Sequence, residues 1–274
     1  MFKKYSFFGF PKTSYKNVTR DTIAIVGSKC VSKSIHPTYG QSGTTTILRR
    51  LSREYDTHNL YIDQEIEYYD IVDLGDFGPR KLPYIIYQVL ERGSKLIVVG
   101  GDHTTTYYSL RNTNIGSLTI LDAHLDADIF EYHFHHGCVT RRLLLEKPNL
   151  DIKIVGFRGY STMKHELTFL KEKAVEIHRW PMGYDTLSEI IEKTEALSLD
   201  LDFFDPSSFW AVRVPEAMGA DFSRFLYTIN RLEHSNMKYL DIVEYAPEID
   251  PGYVCGKRII QMLLEFIALL LRSH

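Results

Sequence analysis

The sequence predicts an α/β fold in which helices cover both faces of a mostly parallel central sheet, giving a three-layer α/β/α domain. Short apolar runs rich in β-branched residues recur along the chain, and helical stretches separate them. Near-continuous apolar strands of this kind belong in a parallel sheet covered on both faces, and their alternation with helices is the βαβ pattern. No repeat or Pro/Gly-rich linker divides the chain, so we expect one domain over residues 1–274.

Each predicted strand contains a short apolar run. The strands cover 23–28, 69–75, 95–101, 117–123, 152–157, 196–202 and 238–245. Two of the predicted helices are 82–93, which has apolar residues at helical spacing and a stop signal at Gly93, and 220–233. The apolar run at 259–271 is short for a bilayer and contains Gln261 and Glu265. It therefore predicts a buried closing helix.

Composition excludes several classes of function. With 32 Lys and Arg against 35 Asp and Glu, the formal charge is -3, which gives no basic surplus for a nucleic-acid backbone. The first twelve residues hold no continuous apolar segment, so no secretory signal is predicted and we expect a cytoplasmic protein. The cysteines Cys30, Cys138 and Cys255 form no CxxC pair, which predicts reduced, packed thiols, with Cys138 as a possible neighbour of the site below.

Polar side chains follow three of the predicted strands. His103 comes after the strand that ends near 99, and Asp200 and Asp202 lie at the end of the strand near 200. The segment after the strand at 118–121 carries Asp122, His124 and Asp126. Alternate residues of an extended segment project from one face, and open α/β sheets place ligands at the carboxyl ends of their strands.

Two imidazoles and four carboxylates are enough to hold two divalent cations. Oxygen-rich sites with a few imidazoles suit Mn²⁺, although iron, cobalt or zinc are alternatives. Each Asp by itself could be a turn former or a helix cap, and each His a packed polar residue. Because charged groups are rarely buried unpaired, six at this spacing favour a binuclear metal site.

The strings GGDH at 100–103, DAHLDAD at 122–128 and SLDLDFFDP at 198–206 resemble the ureohydrolase family of arginases, agmatinases and formiminoglutamases. The likeness extends from about residue 23 to the C-terminus. It implies an arginase-like fold with a sheet of about eight strands, two Mn²⁺ ions as cofactors, and a homo-oligomer, either trimer or hexamer. The metal ligands that it implies are His103, Asp122, His124, Asp126, Asp200 and Asp202.

The resemblance also implies a reaction. A water bridging the two ions becomes hydroxide and attacks the guanidinium carbon, which releases urea and an amine. Asp126 would orient that nucleophile, Glu244 would hold the guanidinium group, and a histidine would carry a proton to the leaving amine. His136, directly before Gly137, best matches that proton shuttle, with His133 and His135 as rivals.

The chain departs from the family where the substrate tail would bind. Residues 207–214 replace a glycine-rich loop with side chains, which predicts a changed pocket entrance. Asp128 stands where arginases have a neutral amide near the α-carboxylate of the substrate, and Gly159 and Ser161 replace acidic residues. These changes disfavour arginine and favour agmatine as the guanidino substrate.

Arg213 gives the opposite indication, because a cation at the pocket mouth would favour an anionic tail such as that of guanidinobutyrate or formiminoglutamate. It could equally be solvated or pair with Glu216. Histidines without ligand-spaced partners, His165 among them, are predicted to be surface or packed residues. The remaining alternatives are a non-catalytic metal-binding relative, suggested by the altered loop, and a metallophosphoesterase, which would need phosphate-binding groups that the constellation lacks.

Overall fold

A computed structural model describes residues 5–32, 43–59, 64–129, 134–159 and 163–272. In these ranges the strands are β1 Ile23–Ser28, β2 His58–Asn59, β3 Gln64–Glu65, β4 Ile71–Phe77, β5 Lys95–Val99, β6 Ser117–Leu121, β7 Asp151–Phe157, β8 Glu176–Arg179, β9 Ala196–Asp200 and β10 Tyr239–Val243. The α-helices are α1 Thr44–Ser52, α2 Leu82–Leu90, α3 Thr104–Leu110, α4 Val139–Glu146, α5 Lys164–Glu172, α6 Tyr184–Lys193, α7 Phe222–Arg231 and α8 Val254–Arg272. Short 3-10 turns join several of these elements.

Eight of the strands form one sheet in the order β4-β1-β5-β10-β9-β6-β7-β8, and every neighbouring pair is parallel. Strands β2 and β3 form a separate two-residue antiparallel ladder. Each of the seven predicted strands is present, with ends that differ by at most two residues. The eighth strand, β8, was not predicted from the pattern, because it has four residues, EIHR, and no apolar run.

Both faces of the sheet are covered, as predicted. In β1, Ile23 and Ile25 pack in the hydrophobic cluster that includes α1, α6, α7 and α8. The alternate residues Ala24 and Val26 pack in a second cluster with α2, α3, α4 and α5. Because successive side chains of a strand point to opposite faces, the two clusters lie on opposite sides of the sheet, which confirms the three-layer α/β/α fold.

The C-terminal helix α8 closes the first of these layers. Its side chains from Ile259 to Leu271 are almost all buried, including Glu265, whose carboxylate accepts a hydrogen bond from Asn230 at 2.9 Å. None of the helices in the described ranges is both long and apolar enough to cross a bilayer. The apolar C-terminal run is therefore a core helix, as the interruptions at 261 and 265 indicate.

An N-terminal arm lies along β4, the edge strand of the sheet. Asp73 in β4 pairs with Lys12 in a parallel bridge, and its backbone N–H donates to the carbonyl of Pro11 at 2.9 Å. The buried carboxylate of Asp73 accepts from the backbone N–H of Phe7 at 3.0 Å and from Arg49 at 2.7 Å. The arm is thus tied to the sheet by both backbone and side-chain hydrogen bonds.

The sheet order places four polar segments side by side. The adjacent strands β5, β10, β9 and β6 form the centre of the sheet, and all four run in the same direction. His103 follows β5, Glu244 follows β10, Asp200 ends β9 and Asp122 follows β6. The topology therefore brings these residues to one edge of the sheet.

Candidate metal centre

Two glycines shape the turn that presents His103. Gly100 and Gly101 have φ values of +91° and +80°, a region in which residues other than glycine are strained. A Cβ at Gly101 would also lie 2.6 Å from the carbonyl oxygen of Cys30. The turn directs the chain from β5 into α3, and His103, directly before that helix, is completely buried.

The His103 imidazole faces three carboxylates. Its Nδ1 atom lies 2.7 Å from Asp126, 3.3 Å from Asp122 and 3.4 Å from Asp200, in each case measured to Oδ2. Asp126 itself has a φ of +46°, which is uncommon outside glycine, asparagine and aspartate. This backbone conformation follows β6 by five residues and belongs to the loop that carries the second motif.

The second imidazole, His124, faces a different pair of carboxylates. Its Nδ1 atom lies 2.9 Å from Asp202 Oδ2 and 3.5 Å from Asp122 Oδ1. Asp122 thus directs Oδ2 toward His103 and Oδ1 toward His124. The potential ligand atoms form two triads, His103 with Asp122 and Asp126, and His124 with Asp122 and Asp202, and those of each triad lie within 4.8 Å of one another.

Three of the four carboxyl groups have raised pKa values, because they are buried next to other negative charges. Burial and, after it, the charge of the neighbouring Asp122 raise the pKa of Asp126 to about 6. Burial, followed by the charge of a neighbouring Asp, also raises the pKa values of Asp200 and Asp202. Carboxylates crowded in this way hold protons until a cation replaces them.

The pKa values of the two imidazoles are raised, although burial alone would lower them. Burial by itself would lower the pKa of His124, but the charge of Asp202 and the hydrogen bonds of Asp122 and Asp202 raise it. The pKa of His103 is raised in the same way by Asp122 and Asp126. Two nitrogen donors among four carboxylates are a donor set that fits two divalent cations, with Asp122 shared between them.

The outer nitrogen of each imidazole has a different environment. His103 Nε2 lies 3.1 Å from the Ser198 hydroxyl, and Ser198 in turn donates to Asp241 at 2.7 Å. Because the Ser198 hydroxyl donates to Asp241, its oxygen accepts a hydrogen bond from His103 Nε2–H, and Nδ1 is the nitrogen that faces the carboxylates. His124 Nε2 is buried and has no hydrogen-bond partner among the described residues, and it lies 3.6 Å from Glu216 Oε1.

Glu244 and His136 lie beside the cluster. The Glu244 carboxylate accepts a hydrogen bond from the backbone N–H of His103 at 2.8 Å, and Glu244 has a φ of +69°. His136 Nδ1 lies 3.6 Å from the same oxygen, Glu244 Oε1. A non-glycine residue held in this sparsely populated region indicates that the surrounding structure fixes it.

His135, an alternative candidate for the proton shuttle, differs from His136 in its surroundings. His135 Nε2 lies 3.9 Å from Asp128, and burial lowers its pKa. His133 lies outside the described residues. Cys138 donates its thiol proton to the His135 carbonyl at 2.9 Å, and burial raises its pKa to about 12. Burial therefore favours the protonated form of this thiol.

Asp128 has a partner that the sequence pattern did not reveal. His165 Nε2 lies 2.9 Å from Asp128 Oδ1, although the pattern predicted a surface or packed histidine without a partner near the site. His165 is 37 residues away in sequence and lies on α5. Gly159 follows Arg158 at the end of β7, whereas Ser161 lies outside the described residues.

Arg213 forms an ion pair with Glu248, whereas the sequence left open a solvated side chain, a pair with Glu216 or a contact with an anionic substrate tail. The apolar side chains of the altered loop turn inward: Phe209 and Val212 join the hydrophobic cluster that contains α7 and α8. The backbone N–H of Ala246 also donates to the Ala211 carbonyl at 2.9 Å. We call the partly exposed Asp128, His165, Arg213, Glu216 and Glu248 the rim of the site.

Similar proteins share this fold and sequence pattern. The chain is 28% identical over 221 residues to the N(1)-aminopropylagmatine ureohydrolase of Thermococcus kodakarensis, a match that covers 74% of this chain and 75% of the relative. The structure of the agmatine ureohydrolase of Thermoplasma volcanium aligns with a TM-score of 0.83 at 22% identity, covering 99% of this chain and 96% of that one. The formimidoylglutamase of Bacillus subtilis aligns with a TM-score of 0.82 at 18% identity, with coverages of 97% and 92%.

A family model settles the relationship. The arginase family model matches residues 21–267, a range that includes all six potential metal ligands, Glu244 and the three strings described above. The chain therefore belongs to the arginase family of ureohydrolases and is a hydrolase of linear amidine C–N bonds.

Proposed function

We propose that this hydrolase uses two divalent ions, Mn²⁺ first among them, to cleave the guanidino C–N bond of a substrate with a cationic tail, with agmatine as the leading candidate. The observation that carries the proposal is the buried cluster of two imidazoles and four carboxylates around the shared Asp122. Ions held there would supply an acidified water for attack on the amidine carbon.

Each protein group has a proposed role. Glu244 would hold the planar guanidinium group by charge-assisted hydrogen bonds, since the backbone N–H of His103 fixes the position of its carboxylate. Asp126 would ligate metal and orient the attacking water. His136, next to Glu244, would donate a proton to the departing nitrogen.

The charges of the rim support a cationic tail. Arg213 is paired with Glu248, so its charge is compensated and it offers little attraction to a carboxylate tail. The Asp128 side chain is 45% exposed, and its ion-pair contacts within the described residues are with imidazoles rather than with a lysine or an arginine. A primary ammonium or polyamine tail would meet this carboxylate favourably. The names of the Thermoplasma and Thermococcus relatives refer to agmatine and to its aminopropyl derivative.

The test is product release by the Mn²⁺-loaded protein from agmatine, N(1)-aminopropylagmatine, arginine, guanidinobutyrate and formiminoglutamate. We expect urea from agmatine or its aminopropyl derivative, and none from a His124→Ala variant. Urea from guanidinobutyrate, or formamide from formiminoglutamate, would instead assign an anionic tail. No release from any compound by a protein that binds two ions would favour the non-catalytic relative.

Assembly and location are part of the same proposal. We expect a cytoplasmic homo-oligomer, either trimer or hexamer, as the family resemblance implies. Sedimentation equilibrium of the metal-loaded protein measures the assembly state directly. A protein that stays monomeric at micromolar concentration would contradict this part of the proposal.

A further inference from the structure

We propose that Glu216 is a positioning residue for the metal centre, which orients His124 through its outer nitrogen and thereby sets the affinity of one of the two metal positions. This inference rests on the proposed metal centre and goes beyond the six ligands. Its test is metal binding, so it does not depend on identifying the substrate.

The His124 imidazole leaves room for such a partner. Its Nδ1 atom faces Asp202 and Asp122, so a metal ion at that nitrogen would leave the ring proton on Nε2. That Nε2 atom is buried, and no described residue accepts a hydrogen bond from it. Glu216 Oε1 lies 3.6 Å away, slightly beyond hydrogen-bond length, a gap that a small side-chain movement closes.

A carboxylate at this position has a known physical effect. A histidine ligand usually donates its second ring N–H to a carboxylate or a carbonyl, which fixes the tautomer and makes the ligating nitrogen more basic. Ser198 and Asp241 provide this support for His103. Glu216 is the corresponding group for His124.

The backbone holds Glu216 in register with the metal ligands. Arg158 Nη2 donates to the Glu216 carbonyl at 2.8 Å and to the Asp202 carbonyl at 2.6 Å. Since the Asp202 carboxylate contacts His124 Nδ1 at 2.9 Å, the contacts form a closed ring from Glu216 to His124, Asp202, Arg158 and back. A shift of the Glu216 backbone would therefore also disturb the contacts of Asp202, whereas the Glu216 side chain can still turn toward His124.

Close packing reinforces this ring. Arg158 Nε also donates to the Ala217 carbonyl at 2.9 Å. A Cβ at Gly219 would lie 2.5 Å from Arg158 Nη2 and 2.5 Å from the backbone nitrogen of Asp205. The Pro215–Gly219 segment can approach Arg158 this closely only because residue 219 has no side chain.

The experiment compares Mn²⁺ binding to the full-length parent, Glu216→Gln and Glu216→Leu, by calorimetric titration and by electron paramagnetic resonance of the coupled ion pair. We expect Glu216→Leu to weaken one binding step by about 10–100-fold and to leave the other within about twofold. Glu216→Gln keeps an acceptor oxygen, so it should weaken the same step less. At limiting Mn²⁺, the coupled-pair signal should decline in the same order.

Glu248→Gln is the matched control, because Glu248 also lies on the rim but pairs with Arg213 rather than with a ligand. Its Mn²⁺ affinities should equal those of the parent. Arg158→Met should weaken the same step as Glu216→Leu, since it removes the hydrogen bonds that hold Glu216 in place.

Two results would overturn the inference. Unchanged affinities in Glu216→Leu would make Glu216 a rim residue only, and equal weakening of both steps together with a lower melting temperature would assign it a general structural role. A parent protein that binds two ions but releases no urea would contradict the proposed substrate and leave the inference intact. A parent that binds no Mn²⁺ would overturn both.

Discussion

The two imidazoles of the proposed metal centre are supported in different ways. His103 is completely buried, and its outer nitrogen joins a hydrogen-bonded network of Ser198, Asp241 and Tyr239 inside the sheet. The side chain of His124 is 17% exposed, and its outer nitrogen faces Glu216, which is 25% exposed. Support from a buried network links metal affinity to folding stability, whereas support from the rim can change with little effect on the fold.

The largest effect is expected from a substitution of Asp122, which the His103 half and the His124 half of the proposed metal centre share. Asp122→Asn replaces the carboxylate that faces both imidazoles with a neutral amide, so both metal positions should lose affinity. We expect hydrolysis to fall by at least about a thousandfold, the upper end of the effect of a single electrostatic contact in an active site. Steady-state urea release and Mn²⁺ titration measure the two effects. Retention of one tight position would show that the halves are independent.

Ser198→Ala tests the buried half. The substitution leaves the Asp241 carboxylate and the outer His103 nitrogen without this hydroxyl, which should cost about 1–3 kcal/mol in the unfolding free energy of the metal-free protein. Mn²⁺ affinity should also fall by about 10–100-fold. Urea denaturation with excess chelator measures stability, and Glu216→Gln is the comparison. Equal stability of the two variants would remove the difference between the halves.

The pH dependence of metal binding tests the shared electrostatics. Burial raises the pKa of Asp126 to about 6, so below that pH a proton occupies the carboxylate that a cation requires. Mn²⁺ affinity should therefore rise by about tenfold per pH unit for each displaced proton as the pH increases toward 6. Above pH 6 the contribution of Asp126 levels off. Titrations in buffers with different ionisation enthalpies count the released protons, and an affinity independent of pH between 5 and 6 would contradict the burial effect.

The smallest expected effect lies on the rim. Asp128→Asn removes a charge from a side chain that is 45% exposed, and exposed ion pairs contribute only about 0–1 kcal/mol. We expect kcat/KM for agmatine to fall by at most about fivefold, with no change for a guanidine of equal length and neutral tail. Equal losses for both substrates would mean that Asp128 acts on the metal centre rather than on the substrate tail.

The sequence predicted the parts of the site that depend on regular backbone. His103 and the potential ligands at the ends of β6 and β9 follow buried strands, so the parallel topology was enough to predict that these segments meet. The strand period did not predict their side-chain directions, because Asp126 lies in a loop with positive φ and Asp202 in a 3-10 turn. Seven strands were recognised by their apolar runs. β8 was missed because its residues, EIHR, are partly exposed and carry no apolar signal.

The rim could not be predicted because its contacts connect segments that are far apart in the sequence. The contact between His165 and Asp128 spans 37 residues, and the hydrogen bond from Arg158 to the Glu216 carbonyl spans 58. Neither separation follows a helical or strand period. Arg213 shows the same limit: the sequence left several contacts open for it, Glu216 among them, and the fold pairs it with Glu248.

The N-terminal arm along β4 affects how the protein behaves toward other chains. An edge strand presents unpaired backbone groups that can recruit a strand from another molecule, the first step of edge-to-edge aggregation. At one edge of the sheet, Pro11 and Thr13 hydrogen-bond to the backbone of Asp73 and so cover part of β4. At the other edge, β8 is only four residues long and carries the exposed charged residues Glu176 and Arg179. Removal of the arm would uncover β4 as a template for strand addition, so insolubility of a shortened chain would arise from that uncovered edge rather than from the catalytic machinery.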